Sequence, residues 1–302
     1  MSADYDIVII GGGPAGLSAG LIAGRALRSA LVIDGGTPRN AAAPAMHSYL
    51  SRDGILPHDF RAKAHAELAR YPIIDRRQAF VENIRAEGDR LVVLLADGTS
   101  VGAIKVILAL GLVDQLPAIA GLSSNWGRGV HHCPFCDGFE HKGGHWGVLA
   151  EDAAMFDHAH FLRNWAGKLT VLTNGKAIPA DKLAMAREAG FHILETPIAR
   201  VLEGDGHSIA GIAFDDGSKA DVTSLWIRPA QEQTPIVHKL GLVLAENGAI
   251  ERDAAGETAM PGLYAAGDCA AGPMQQAILA AADGARVMFG LVHGLATTKS
   301  VA

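Results

Sequence analysis

The stretch DIVIIGGGPAGLSAGLIAGRALRSALVID, residues 6–34, decides the fold. Asp6 to Ile10 reads as a buried strand, Gly11 to Gly16 as a turn, Pro14 to Arg28 as a helix of small residues, and Ala30 to Ile33 as a second strand ending at Asp34. That is a βαβ opening. Gly11, Gly13 and Gly16 satisfy G-x-G-x-x-G. The three glycines allow, respectively, a tight turn, close approach of a pyrophosphate to the backbone, and close packing of helix on strand. The start of the helix, with Pro14 and Ala15, turns unpaired amides and partial positive charge toward the phosphates. Asp34 ends the second strand about 20 residues on, where a carboxylate accepts from ribose hydroxyls. The chain is expected to bind a dinucleotide.

Composition sets the frame around this unit. With 302 residues, 49% of them hydrophobic and 19% charged, the chain can bury substantial apolar surface, and its length favours two domains. The longest apolar stretch, Val101 to Val113, carries Lys105 and falls short of the roughly 20 residues a membrane span needs. No membrane helix is expected. The N-terminus, MSADYDIVII, runs from acidic residues straight into the first strand, which argues against a signal peptide and for a cytoplasmic protein. In that compartment a structural disulfide is disfavoured. A net charge of -6 without a lysine or arginine cluster argues against nucleic acid. The 36 glycines point to many tight turns between strands and helices.

The far end of the chain supplies matching pieces. LYAAGD, Leu263 to Asp268, is a short apolar strand ending in Gly267-Asp268, and a helix-like run beginning MQQAILAAADGA follows from Met274. VILALG, Val106 to Gly111, has the form of a strand returning beneath a cofactor. Together these tracts resemble the FAD domain of the two-domain pyridine nucleotide–disulfide oxidoreductases. The resemblance implies that Asp268 holds the ribityl or pyrophosphate part of FAD, and that Gln276 and Ala277 offer backbone to the isoalloxazine at the positive end of their helix. Gln275 stands where thioredoxin reductases usually have arginine. Val81 and Gly111 complete the candidate cofactor set on this side.

The middle of the chain looks like a second copy of the fold without its fingerprint. Trp146 to Leu149 reads as a strand and Ala153 to Trp165 as a helix. Where low-molecular-weight thioredoxin reductases read Gly-Gly-Gly-Asn-Thr-Ala, this chain has Ala150-Glu151-Asp152-Ala153-Ala154-Met155. Glu151 and Asp152 put negative charge where phosphate would sit, and like charges a few ångströms apart repel by about 1 to 4 kcal/mol at surface-like dielectrics. The next strand, Leu169 to Leu172, runs into Thr173-Asn174-Gly175 and lacks the His-Arg-Arg cluster that grips a 2′-phosphate in that family. Two readings stand: a divergent NADPH domain with contacts supplied from elsewhere, or a scaffold that no longer takes hydride. NADPH is therefore a doubtful cofactor.

Just before this second unit lies HHCPFCDGFE, residues 131–140, with two of the three cysteines. Zinc would need more ligands than Cys133 and Cys136, drawn from His131, His132, His141 or His145, since the remaining cysteine, Cys269, follows Asp268. Structural thiols are a second reading, and a redox couple a third. Cys-Pro-Phe-Cys-Asp-Gly stands where thioredoxin reductases carry Cys-x-x-Cys-Asp-Gly, and the resemblance extends over nearly the whole chain. It implies a redox couple with no metal: Cys136 against the flavin, Cys133 exchanging with the dithiol or disulfide partner, and Asp137 as general acid and base. Asp137 also suits the first turn of a helix on electrostatic grounds alone. Pro134-Phe135 departs from the usual Ala-Thr and resembles the Cys-Pro-x-Cys of the FAD-dependent dithiol oxidases that close disulfides in gliotoxin- and holomycin-type products. The segment Gly35 to Gly54, with TPRN and MHSYLSRDG, resembles the same branch; there Arg39 and Asn40 either reach the cofactor or lie in a surface loop. His132, with His131, either relays a proton and favours the thiolate or simply packs. Trp126, Phe135 and Phe139 line a substrate pocket or a protein docking groove, or belong to the core.

The expectation is an α/β protein of two Rossmann-like (βαβ) domains: an FAD-binding domain of residues 1–113 and 230–302, and an inserted NADPH-domain-like domain, 114–229, carrying the cysteine pair. The expected activity is FAD-dependent oxidation of a dithiol to a disulfide, with dioxygen as acceptor and hydrogen peroxide as product. The alternatives are a thioredoxin-reductase-like reductase using NADPH weakly or another donor such as ferredoxin, and a non-catalytic flavin-binding redox sensor. Expected partners are a small-molecule dithiol or a thioredoxin-like protein, with neither nucleic acid nor membrane involved. The resemblance also implies a homodimer.

Overall fold

The computed structural model describes residues 4–298. The chain begins with β1 (Asp4–Ile10), α1 (Pro14–Arg25), β2 (Ala30–Asp34), α2 (Pro57–Leu68), β3 (Ile74–Gln78), β4 (Val81–Glu87), β5 (Arg90–Leu95) and β6 (Ser100–Leu108). It continues through β7 (Val113–Gln115), β8 (Val130–His131), α3 (Pro134–Asp137), β9 (His145–Leu149), α4 (Ala153–Leu162), β10 (Lys168–Leu172), α5 (Ala180–Glu188) and β11 (His192–Leu194). A run of short strands follows: β12 (Ile198–Glu203), β13 (Ile209–Phe214), β14 (Lys219–Ala220), β15 (Ser224–Trp226) and β16 (Ala230–Glu232). The chain closes with α6 (Pro235–Lys239), β17 (Leu263–Ala265) and α7 (Ala277–Thr298). These elements group into two compact units, one of residues 4–41, 57–113 and 231–298, the other of residues 42–56 and 114–230.

In the first unit β3, β2, β1 and β6 form a parallel sheet in that order. β6 is long enough for two jobs on its other edge. Its first half pairs antiparallel with β5, which leads to β4, and its last residues pair parallel with β17, Leu263 opposite Val106. The apolar run of β1 is buried on both faces, as a strand covered on both sides must be. Alternation divides its side chains between two cores: Val8 and Ile10 face Leu31, Ile33, Val106 and Leu108, while Ile7 and Ile9 face Ala19 and Ala23 of α1 and Val287 and Met288 of α7. α1 starts with Pro14 at a position where a missing N–H is harmless. It stops at Arg25, short of the expected Arg28. Leu27 adopts φ 56°, and the Arg28 N–H closes back on the Ala23 carbonyl, so the last turn is sealed three residues early.

The second unit is another parallel sheet, β11-β10-β9-β15-β8, beside a small antiparallel sheet of β12, β13 and β14. Trp146 and Trp226 stack at its centre, 4.1 Å between ring centroids, with their N–H groups given to the His141 carbonyl and the Ser224 hydroxyl. α4 runs to Leu162 rather than the expected Trp165.

Residues 42–56 depart from the sequence expectation, which left them inside 1–113. They group with the second unit because they bond to it: the Ser48 hydroxyl donates to the Phe135 carbonyl at 3.1 Å, and His47 Nε2 lies 3.5 Å from the Glu140 carboxylate. The helix expected from Met274 begins at Ala277. By length and composition alone α7 reaches the range that can cross a membrane, a run longer than the 101–113 stretch. Asp283 and Arg286 interrupt it, and both serve this fold. Asp283 accepts from the Gly267 N–H and pairs with Arg252 and Arg286.

Candidate functional site

In the first unit the ends of β1, β2 and β6 surround the glycine turn. Gly11 has φ +122°, and a Cβ there would lie 2.1 Å from the Ala109 carbonyl oxygen. A Cβ on Gly16 would lie 1.9 Å from the Gly11 carbonyl oxygen, so helix and turn touch through bare backbone. The Cβ direction of Gly13 is open, with nothing within 4 Å. Gly13 is also the N-cap of α1, which has no side-chain cap and no acidic residue in its first turn. An open glycine before uncapped amides, led by Pro14 and Ala15, fits an anionic pyrophosphate.

The remaining residues of the expected cofactor set fall around this cradle. Asp34 accepts from the Gly36 N–H at 3.0 Å and is paired with Arg61 of α2, a residue the sequence reading missed; it lies 27 positions further along without a motif. Arg39 donates to Asp268 at 3.3 Å and to Gln275 at 2.7 Å, so two residues expected separately at the cofactor meet each other and Gln275 serves as an acceptor. Gln275 also exchanges amide hydrogen bonds with Gln231. Asn40 shares the short 3-10 turn of Arg39. Gly111 (φ +65°) and Gly267 (φ +76°) follow β6 and β17, and Val81 opens β4 against the core. The Gln276 carbonyl accepts from the Ala280 N–H at 2.9 Å, which places it at the start of α7 beside Ala277.

Asp283 was likewise invisible in sequence. Burial alone would raise its carboxyl, but hydrogen bonds from Arg252 and the Gly267 amide outweigh it and hold the group below the usual carboxylate range. Cys269 is fully buried, donates to the Leu108 and Ala266 carbonyls, and is pushed up to about 11 by desolvation. A thiol so placed is inert.

In the second unit Cys133 and Cys136 are bonded to each other, with 5.3 Å between their Cα atoms. Cys133 is the N-cap of α3 and Pro134 its first residue. The Cys133 carbonyl accepts from both Cys136 and Asp137 N–H groups, at 3.0 and 3.2 Å, which winds the four residues into one turn. Both cysteines are half-buried. Asp137 Oδ2 lies 3.5 Å from Nδ1 of His131. His132, the expected catalytic histidine, stacks on Trp126 with 5.6 Å between ring centroids. Phe135 is 60% exposed and sits 5.7 Å from Phe161 and 5.6 Å from Trp165, two rings the sequence reading did not connect to it. Phe139 is exposed with Lys142 over its face. Of the three aromatic residues singled out in the sequence, only Trp126 packs against the core.

The second βαβ turn is closed by its own side chains. Asp152 caps α4, accepting from the Met155 N–H at 2.9 Å. Glu151 accepts from the Asn174 side chain at 2.7 Å, and Asn174 in turn accepts from the Ile198 N–H at 2.7 Å. The amide a phosphate oxygen would use is thus taken, and a carboxylate stands beside it. These residues do not fit the pyrophosphate of NADPH.

A glycine cradle on one Rossmann-like unit and a bonded cysteine pair on another are what a disulfide oxidoreductase working with a dinucleotide requires. The chain belongs to the pyridine nucleotide-disulphide oxidoreductase family, whose sequence profile matches residues 5–155 and 185–284. It is thioredoxin reductase-like. Thioredoxin reductase sirT of Leptosphaeria maculans is 33% identical over 299 residues, covering 93% of this chain and 91% of that protein. The crystal structure of HlmI superposes with a TM-score of 0.93 at 28% identity over 99% of this chain and 95% of that one. An oxidoreductase from Agrobacterium tumefaciens gives 0.89 at 33% identity over 98% of this chain and 99% of that one. The thioredoxin reductase-like members of this family use FAD, and the first unit's cradle fits it.

Proposed function

We propose that this protein is an FAD-dependent dithiol oxidase that closes a disulfide in its substrate. The observation that carries the reading is the second βαβ turn, where Asp152 occupies the helix amide and Glu151 bridges to Asn174, leaving electrons no evident entry from NADPH. Gly11, Gly13, Pro14, Ala15 and Gly16 would hold the pyrophosphate of FAD, Asp34 the ribose, and Asp268 with Arg39 the ribityl side. Asn40, Val81, Gly111, Gly267, Gln276 and Ala277 would complete its surroundings. When bound, FAD supplies a two-electron acceptor for the cysteine dithiol and then a reductant for dioxygen, with hydrogen peroxide as product.

The chain's own part is thiol–disulfide exchange. A substrate thiolate attacks Cys133 Sγ, the Cys133–Cys136 bond breaks, and its electron pair leaves on Cys136. The second substrate sulfur then displaces Cys133 and closes the product disulfide. Asp137 receives the proton given up by the attacking thiol. Exposed Phe135 and its neighbours Phe161 and Trp165 support an apolar dithiol as the partner over a charged one. The same reading makes the first unit the FAD-binding domain and the second a nucleotide-domain relic, in a cytoplasmic homodimer.

Anaerobic stopped-flow of the flavin-loaded protein tests the proposal. Dithiothreitol is expected to bleach the flavin rapidly, and oxygen to restore it with peroxide formed. Rapid bleaching by micromolar NADPH would overturn the oxidase reading in favour of a reductase.

A further inference from the structure

His131 is 3% exposed, and its two ring nitrogens face two different oxygens. Nε2 lies 3.0 Å from the Arg128 carbonyl oxygen, which can only accept, so Nε2 carries hydrogen. Nδ1 lies 3.5 Å from Asp137 Oδ2 and has no hydrogen-bond partner among the described residues. A bare Nδ1 lone pair facing a carboxylate oxygen in a buried setting is repulsive. One proton between them turns that repulsion into attraction, whichever atom it rides on.

We propose that His131 and Asp137 act as a unit that takes up and holds one proton beside the cysteine pair, with His131 as the positioning residue that orients the Asp137 carboxylate to receive it in the exchange. The proposal rests on the reading of Cys133–Cys136 as the exchanging disulfide. His131 sits at the end of β8, anchored by the Arg128 carbonyl below and by Trp226 of β15, 5.2 Å away, on its flank. Its titratable neighbours are Asp137 from α3 and His141 from the turn that follows, 4.5 Å ring to ring. His141 is lowered to about 4, by burial first and then by its ring neighbour His131, with His207 acting in the same sense, so it stays neutral at pH 7.

The exchange then balances within the chain. A substrate S–H bond breaks and its proton goes to the Asp137 carboxylate. The substrate sulfur bonds to Cys133 Sγ while the Cys133–Cys136 bond breaks, and Cys136 keeps the electron pair as thiolate. In closure the second substrate S–H breaks, its sulfur bonds to the first, and the released Cys133 takes that proton. The substrate is oxidised by two electrons, the cysteine pair is reduced by two, and the unit carries one extra proton.

The test follows reduction of Cys133–Cys136 by dithiothreitol under anaerobic conditions in the flavin-loaded, full-length protein. Samples are quenched with an alkylating agent at intervals between pH 6 and pH 9, and labelled cysteines are counted by mass. H131N and H131Q, which both keep a side-chain amide donor but carry no titratable nitrogen, are each expected to slow exchange at pH 7 by about tenfold or more. The deficit is expected to shrink as pH approaches about 8.5, where a thiol ionises without help. H131N/D137N is expected to be no slower than D137N alone, because the pair acts as one. A deficit equal at every pH, or one that multiplies in the double variant, overturns the proposal. Exchange is read without oxygen or NADPH, so failure of oxygen to act as acceptor would sink the oxidase reading and leave this one standing.

Discussion

Replacing Asp152 by serine separates two things the native side chain does at once. As an N-cap it satisfies the Met155 amide at 2.9 Å, and as an anion it repels phosphate from the same amide. Serine caps about as well as aspartate, so D152S is expected to keep its thermal stability. The charge is another matter. A phosphate oxygen on that amide would sit about 4 Å from the carboxylate, where two unit charges repel by about 1 kcal/mol at water-like and about 4 kcal/mol at surface-like dielectric. Removing it should tighten NADPH binding between roughly five- and several-hundred-fold, at 1.4 kcal/mol per factor of ten. E151Q added to D152S should tighten it further, since the Asn174 contact survives without its charge. NADPH titration followed by tryptophan quenching, at low and at about 0.5 M salt, measures this; the gain should narrow at high salt through screening. If D152S folds with an unchanged melting temperature and binds NADPH no better than the native chain, charge at the turn does not close the site and the oxidase reading loses its support.

In G16A the new methyl would meet the Gly11 carbonyl, as close as 1.9 Å without relaxation, so purified protein is expected to lose most of its flavin and about 1 to 3 kcal/mol of stability; full yellow colour with native melting would contradict the cradle. His141 takes up its proton only near pH 4 when folded but near 6.5 when unfolded, so the unfolded chain binds more protons in that window and stability falls as pH drops from about 6.5 toward 4. Urea titrations at pH 7 and pH 5 should show the loss, and H141N should flatten the slope. S48A removes the hydroxyl that donates to the Phe135 carbonyl, and amide hydrogen exchange of the α3 turn is expected to quicken while overall melting moves little. Ile278, Leu279 and Phe289 leave apolar surface on α7, and F289E is expected to convert the proposed homodimer to monomer by light scattering; a native protein that is already monomeric would refute it.

Much of this molecule is readable before it folds. Strand, glycine turn, helix and terminal acid between Asp6 and Asp34 are local features, bound by dihedral and packing rules over a few residues, and the structure reproduces them with only the end of α1 displaced. The cysteine pair is legible for the same reason, since two residues three apart in one turn are neighbours in any fold. The losses occur where partners come from distant parts of the chain. Arg61 on Asp34, Asp283 beneath Gly267 and Phe161 and Trp165 against Phe135 carry no spacing that would announce them. Even His131 and His132, adjacent in sequence, part where β8 ends: the ring of His131, its last residue, goes to Asp137 and that of His132, in the bend that follows, to Trp126.

The sequence by itself determined the two βαβ units, the glycine cradle, the closeness of Cys133 to Cys136 and the loss of a phosphate fingerprint at Ala150 to Met155, because each is set by short-range geometry and residue type. Only the tertiary structure decided how that lost fingerprint is filled, with Glu151 reaching Asn174, and which histidine faces Asp137. Those outcomes depend on where strand ends meet across a sheet: His131 is buried there, and the half-buried Glu151, Asn174 and Asp137 find partners that other segments of the chain bring to them.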